Sequence, residues 1–121
     1  MLPVFRDLAQ RAAEAAGLYG FDPNSCLLNR YESGSRLLLH QDRNKRDLDA
    51  PIVSVSLGLP ATFLWGGASR RDRPKRVRLV HGDVAVWDGP AKLGYHGVDT
   101  LRASDGAASA LRYNLTFRVA R

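Results

Sequence analysis

Cysteine is nearly absent: the 121-residue chain carries one, Cys26. A single thiol excludes an internal disulfide and any cysteine-rich zinc site. It fits a reducing compartment, where its expected part is that of a small buried hydrophobe. Long apolar runs are absent too. No stretch approaches the ~18 consecutive apolar residues of a membrane span, and the first residues lack the basic-then-apolar order of a secretory signal. The expectation is a cytoplasmic protein with no membrane partner. Acidic residues are outnumbered, 12 against 18 Lys and Arg, which leaves a formal charge of +6. That balance favours a polyanionic partner without naming one.

What is present fits one domain. With 45% hydrophobic and 25% charged residues, the chain is ordinary globular material, and its length excludes a two-domain enzyme. Residues 4 to 16 carry Phe5, Leu8, Ala12 and Ala15 at helical spacing, with Pro3 suited to a first turn and Gly17 to a C-terminal stop. From about residue 25 the pattern changes to short apolar or alternating runs separated by Gly, Pro, Asp and Asn. Strands are predicted at Cys26–Tyr31, Arg36–His40, Ile52–Leu59, Thr62–Trp65, Arg76–Val80, Val84–Trp87, Lys92–His96 and Ala110–Val119. One helix followed by about eight short strands predicts a mainly β fold, a sandwich or barrel for which a double-sheet jelly roll has the right strand number.

Two connections stand out. Gln41–Pro51 is polar and longer than a hairpin turn, which marks it as a candidate functional loop. Arg70–Arg76 packs Arg70, Arg71, Arg73, Lys75 and Arg76 into seven residues, to be read as a solvated loop or as a patch that contacts phosphates.

With three histidines, candidate metal sites can be enumerated. His40-Gln41-Asp42 and His81-Gly82-Asp83 are both H-x-D triplets, and in an extended strand residues i and i+2 project to one face. The second lies between two alternating runs, where Gly-Asp is good hairpin-turn chemistry, and reads as a turn. The first ends the apolar run Leu37-Leu38-Leu39 and opens onto the long polar loop. His96 closes the Lys92–His96 run. Two histidines and a carboxylate make a facial triad with open positions, which suits non-haem Fe(II) oxygenases; two loop-end histidines held by hydrogen bonds are the ordinary alternative.

In Leu111–Val119 the even positions are polar and the odd ones apolar, so Arg112, Asn114 and Arg118 share a face. That face either meets solvent or lines a pocket for an anion. Two Arg on one face suit a dicarboxylate, since guanidinium grips carboxylate bidentately. Asn29 and Tyr31 likewise share a face of an early strand and could supply an amide and a phenol.

Taken together, Leu28-Asn29-Arg30-Tyr31, Leu39-His40-Gln41-Asp42, Ala50–Pro60, His81-Gly82-Asp83-Val84, Tyr95-His96-Gly97 and Arg112–Arg118 closely resemble the bacterial AlkB nucleic-acid dealkylation enzymes, from about residue 3 to the end. The resemblance implies a double-stranded β-helix that binds Fe(II) through His40, Asp42 and His96. It implies 2-oxoglutarate bound by Asn29, Tyr31, Arg112, Asn114 and Arg118, the two arginines dividing its carboxylates, with O2 as third reactant. The implied reaction is oxidative removal of N-linked alkyl groups from bases such as 1-methyladenine and 3-methylcytosine. It is coupled to decarboxylation of 2-oxoglutarate to succinate and releases formaldehyde, as in DNA alkylation repair.

The His81 triplet is not a ligand in the family, Trp87 matches a core aromatic, and Arg70 matches a basic position near the nucleic acid. The expected partner is alkylated DNA, with RNA as a second polymer and single strands favoured, and the expected state is a monomer. Two departures qualify the match. Asn44 stands where the best-known members have an acidic residue that helps recognise the damaged base. The chain also begins at the helix before the core, where family members carry upstream strands and a nucleotide-recognition lid, so the expectation for residues 1–121 is an N-terminally truncated catalytic core. Two other readings are a 2-oxoglutarate dioxygenase acting on protein or small molecules, against which the basic balance argues, and an inactive jelly-roll binding module. The intact set His40, Asp42, His96, Arg112 and Arg118 argues against the latter.

Overall fold

The computed structural model describes residues 1–40, 50–87, 94–102 and 111–119. The one helix among the described residues, α1, spans Pro3–Ala15, with Pro in the first turn where no amide partner is missed. It stops at a Schellman motif: Leu18 N–H donates to Ala13 O and Gly17 N–H to Glu14 O, both at 2.9 Å. Gly17 takes the left-handed conformation, φ 84°, that this ending requires. The buried stripe is Ala9 and Ala13, with Phe5 and Ala12 packed beside them. The sequence stripe through Leu8 and Ala15 is therefore offset, since Leu8 is 38% exposed and Ala15 is exposed. The alanines carry no atoms beyond Cβ, so the helix can lie close to the sheet beneath it. Among the described residues no helix is long and apolar enough to cross a membrane.

Among the described residues eight strands follow: β1 Ser25–Glu32, β2 Leu37–His40, β3 Ile52–Gly58, β4 Ala61–Trp65, β5 Lys75–Leu79, β6 Val84–Trp87, β7 His96–Val98 and β8 Leu111–Arg118. They form two four-stranded sheets, ordered β1-β8-β3-β6 and β2-β7-β4-β5. All pairs described are antiparallel. Each step from an odd strand to the next even one changes sheet, the winding of the double-stranded β-helix expected from the sequence.

Two strand-level expectations need correction. The seventh strand runs from His96 to Val98 rather than over 92–96, and residues 92 and 93 lie outside the described set. Gly97 reads in sequence as a breaker, yet it sits inside the strand because β2 passes there: a Cβ on Gly97 would lie 2.5 Å from Leu37 O. The His81-Gly82-Asp83 segment is a turn, closed by Asp83 N–H to Val80 O at 3.0 Å and Val80 N–H to Asp83 Oδ2 at 2.8 Å. It is not a hairpin. β5 pairs with β4, and β6 with β3, so the turn carries the chain from one sheet to the other.

The first sheet has an apolar outer face and a polar inner one. Outward, Val53, Val55 and Phe117 pack with Ala9, Ala13 and Phe21 in the main core, and the Phe5 and Phe117 rings meet edge to face, centroids 6.1 Å apart. Cys26 packs at the margin of this core, half-buried where a buried thiol was expected. Inward, the same strands face the second sheet across a cavity. A smaller cluster of Leu59, Ala61, Val98 and Leu101 is buried separately.

Candidate active site

A cavity of about 430 Å³ opens between the sheets, and its lining includes Asn29, Tyr31, His40, His96, Arg112, Asn114 and Arg118. The polar face of β8 therefore turns inward rather than to solvent, because α1 covers the apolar face. Cross-strand pairing assembles the set: Asn29 lies opposite Asn114, and Tyr31 opposite Arg112.

Arg112 is 3% exposed. Its Nη2 donates to Ser56 Oγ at 2.9 Å and Nη1 reaches Leu59 O at 3.5 Å. Its Nε is buried without a hydrogen-bond partner among the described residues. A buried guanidinium with an unused donor is costly in isolation and well suited to a carboxylate. Burial pulls the Arg112 pKa below its ordinary value, against a pull upward from Tyr31. Burial likewise raises the Tyr31 phenol, partly offset by Arg112. Tyr31 is thus kept protonated as a hydrogen-bond donor. Beside them, Asn114 Nδ2 donates to Ser54 Oγ at 2.5 Å and Thr116 Oγ1 donates to Asn114 Oδ1 at 2.7 Å. Those bonds fix which way the amide faces.

The opposing sheet brings His40 and His96 together. They are cross-strand partners in the β2–β7 pair, with ring centroids 4.3 Å apart and planes at 58°. Their meeting depends on an irregularity: register shifts between Leu37 and His40. Strict alternation would put Leu37 and His40 on opposite faces, yet both line the cavity. Gly97 makes room for the displaced strand.

Nδ1 of His40 lies 3.0 Å from Leu38 O, and Nδ1 of His96 lies 3.2 Å from Gly94 O. A carbonyl only accepts, so each Nδ1 is a donor, and Nε2 is the nitrogen that a neutral ring held in this way offers to a metal, the arrangement found in metal-ligating histidines. Phe63 stacks on His96 at 6.2 Å and meets Trp87 of the first sheet at 5.8 Å, which gives the cavity an aromatic wall.

Asp42 and Asn44 lie outside the described residues. Among those described, no third His, Cys, Asp or Glu joins the two imidazoles. His81 is elsewhere, its Nδ1 accepting from Gly58 N–H at 2.9 Å. Arg70 is outside the cavity, with Nη1 donating to Leu39 O at 3.2 Å and its guanidinium 5.0 Å above the Tyr95 ring. Sequence reasoning missed Ser54 and Ser56, which hold Asn114 and Arg112. The available signal was polar residues at alternate positions within the apolar run Ile52–Leu57.

A polar floor ending in a buried arginine, under an imidazole pair on the facing sheet of a jelly roll, is the site plan of a metal-dependent 2-oxo-acid oxygenase. The chain belongs to the 2OG-Fe(II) oxygenase superfamily, whose family model matches residues 1–118. It is 56% identical over 117 residues to the Escherichia coli alpha-ketoglutarate-dependent dioxygenase AlkB, covering 96% of this chain and 54% of that protein. It is 36% identical over 91 residues to the mouse nucleic acid dioxygenase ALKBH1, covering 75% of this chain and 23% of that one. The solved structure of OsALKBH1 superimposes with a TM-score of 0.83 at 30% identity, over 99% of this chain and 65% of that chain. This chain thus spans about half the length of the bacterial relative.

Membership implies Fe(II), 2-oxoglutarate and O2. The residues fit them: two neighbouring imidazoles anchored through Nδ1 suit a divalent metal, and the Nε of Arg112, without a partner among the described residues, suits a cosubstrate carboxylate.

Proposed function

We propose that the chain oxidatively removes N-linked alkyl groups from nucleic-acid bases, as the catalytic core of a DNA alkylation-repair enzyme. The observation that carries the reading is the buried Nε of Arg112, without a partner among the described residues, in the cavity that His40 and His96 line from the other side. Metal and dicarboxylate sites then share one space. The relatives' names supply the substrate class: an AlkB dioxygenase, a nucleic acid dioxygenase and, in fission yeast, a tRNA demethylase.

His40 and His96, with Asp42, would hold Fe(II). Arg112 takes one carboxylate of 2-oxoglutarate, with the Tyr31 phenol beside it, and Arg118 takes the other. Asn29 and Asn114, paired across β1 and β8, orient the chain between. When bound, Fe(II) with O2 and 2-oxoglutarate supplies an oxidant that hydroxylates the N-alkyl carbon as 2-oxoglutarate leaves as succinate and CO2. The hydroxylated base then expels formaldehyde and is restored. Phe63 and Trp87 exclude water around the imidazoles.

The alkylated base must leave its stack to reach the metal, which favours single-stranded substrate. Arg70–Arg76 and Asn44 are assigned to the nucleic acid side, in a monomer working in the reducing cytoplasm. The test is formaldehyde release from single-stranded oligonucleotides carrying 1-methyladenine or 3-methylcytosine, with Fe(II) and 2-oxoglutarate supplied. Release that needs both, and that Arg112→Ala abolishes, is the expected result. Release independent of 2-oxoglutarate contradicts the reading.

A further inference from the structure

Arg70 belongs to the basic run assigned to phosphates, yet its contacts are with residues beside the two histidines of the cavity. The segment after β4 pairs with the residue before His96 in both directions: Gly66 N–H donates to Tyr95 O at 2.6 Å, and Tyr95 N–H donates to Gly67 O at 3.0 Å. That segment is held in shape by its own side chains, with Asp72 Oδ2 accepting from Ser69 N–H at 3.1 Å and Ser69 Oγ accepting from Arg71 N–H at 3.2 Å. From this base Arg70 lays its guanidinium over the Tyr95 ring, 5.0 Å from the centroid, and donates from Nη1 to Leu39 O at 3.2 Å. Leu39 immediately precedes His40, and Tyr95 immediately precedes His96. One side chain therefore touches the residue before each histidine, through the backbone carbonyl of Leu39 and through the ring of Tyr95.

The contact falls where the β2–β7 register shifts, between Leu37 and His40, and there the carbonyl of Leu39 accepts from Arg70. We propose that Arg70 is a positioning residue for the imidazole pair: it ties the β2 end before His40 to the start of β7 and sets the separation of the two rings. The inference rests on the reading of His40 and His96 as metal ligands. It differs from a phosphate contact in what its loss changes. A strut governs metal affinity and geometry with no nucleic acid present, whereas a phosphate contact governs only oligonucleotide binding and its salt dependence.

The experiment uses the full chain and Co(II), whose visible absorption reports ligand geometry. Arg70→Ala is expected to weaken Co(II) binding about tenfold and to alter the band shape, in the range seen when a group supporting a ligand is lost. Arg70→Lys keeps a cation over Tyr95 and one donor for Leu39 O, and should recover affinity to within about threefold. Arg11→Ala, which removes the same charge from an exposed site on α1 where Arg11 pairs with Asp7, should leave the titration unchanged. If Arg70→Ala does not fold by near-ultraviolet circular dichroism, Arg70→Lys against Arg70→Gln carries the same comparison. Unchanged Co(II) affinity and spectrum in Arg70→Ala, with weakened oligonucleotide binding, would overturn the strut and leave a phosphate contact. Failure of the unaltered chain to bind Co(II) would instead overturn the ligand reading beneath it.

Discussion

Ser56, 1% exposed, accepts a 2.9 Å hydrogen bond from Nη2 of Arg112 on the neighbouring strand. The bond aims the guanidinium along the cavity and leaves its Nε to a ligand. Ser56→Ala removes the acceptor and strands a second donor of a buried cation, at a cost of about 1–3 kcal/mol. The predicted result is a KM for 2-oxoglutarate raised about tenfold with Co(II) affinity unchanged. Steady-state succinate formation and metal titration on the same preparation check it.

Gly97 is the second fixed point. Its missing Cβ leaves space for the displaced β2 backbone, with Leu37 O 2.5 Å from where that atom would be. Gly97→Ala forces two strands apart at the positions that carry His40 and His96. We expect a loss of stability of about 1–3 kcal/mol, the usual cost of overpacking, and a larger proportional loss of metal affinity. Chemical denaturation without metal, compared with Co(II) titration, separates the two effects.

The histidines are distinguishable by substitution. His81→Ala leaves Gly58 N–H without its side-chain acceptor and should cost about 1 kcal/mol of stability while metal still binds. His96→Ala should abolish metal binding in a chain that still folds. Metal retained in His96→Ala and lost in His81→Ala would reverse the assignment.

Arg76 and Asp99 join β5 to the segment after β7. The hydrogen bond from Arg76, aided by the Thr100 amide, holds the Asp99 carboxyl below its ordinary pKa. A carboxyl depressed in the folded state adds stability above its unfolded pKa, about 3.9, and loses it as pH falls through the lower folded value. The gap in urea midpoint between the unaltered chain and Asp99→Asn should therefore be constant near about pH 6 and close toward about pH 2. A gap that widens on acidification would contradict the ion pair.

Much of this site was visible in the residue order, and the parts that were not share a cause. The period-two pattern of Leu111–Arg118 placed Arg112, Asn114 and Arg118 together, because strand geometry alone decides that. Whether the face met water or a cavity depended on α1 covering the opposite side, which no local pattern encodes. Ser54 and Ser56 were concealed inside an apolar strand, as their partners lie about sixty positions away. His40 was found through its triplet, yet its direction follows from a register shift against β7 and from Gly97, a residue that reads in sequence as an interruption. Asp42 rests on that triplet and on the resemblance, and Asn44 on the resemblance alone; both lie outside the described residues.

The central claim is that one cavity holds the metal on one sheet and the cosubstrate on the other. Anaerobic addition of Fe(II) and 2-oxoglutarate, followed by visible charge-transfer absorption of the metal-bound 2-oxo acid, tests it most directly. The account predicts the band in the unaltered chain and its loss in two separable ways: His96→Ala binds no metal, while Arg112→Ala binds metal but not 2-oxoglutarate. An undiminished band in either variant would contradict it.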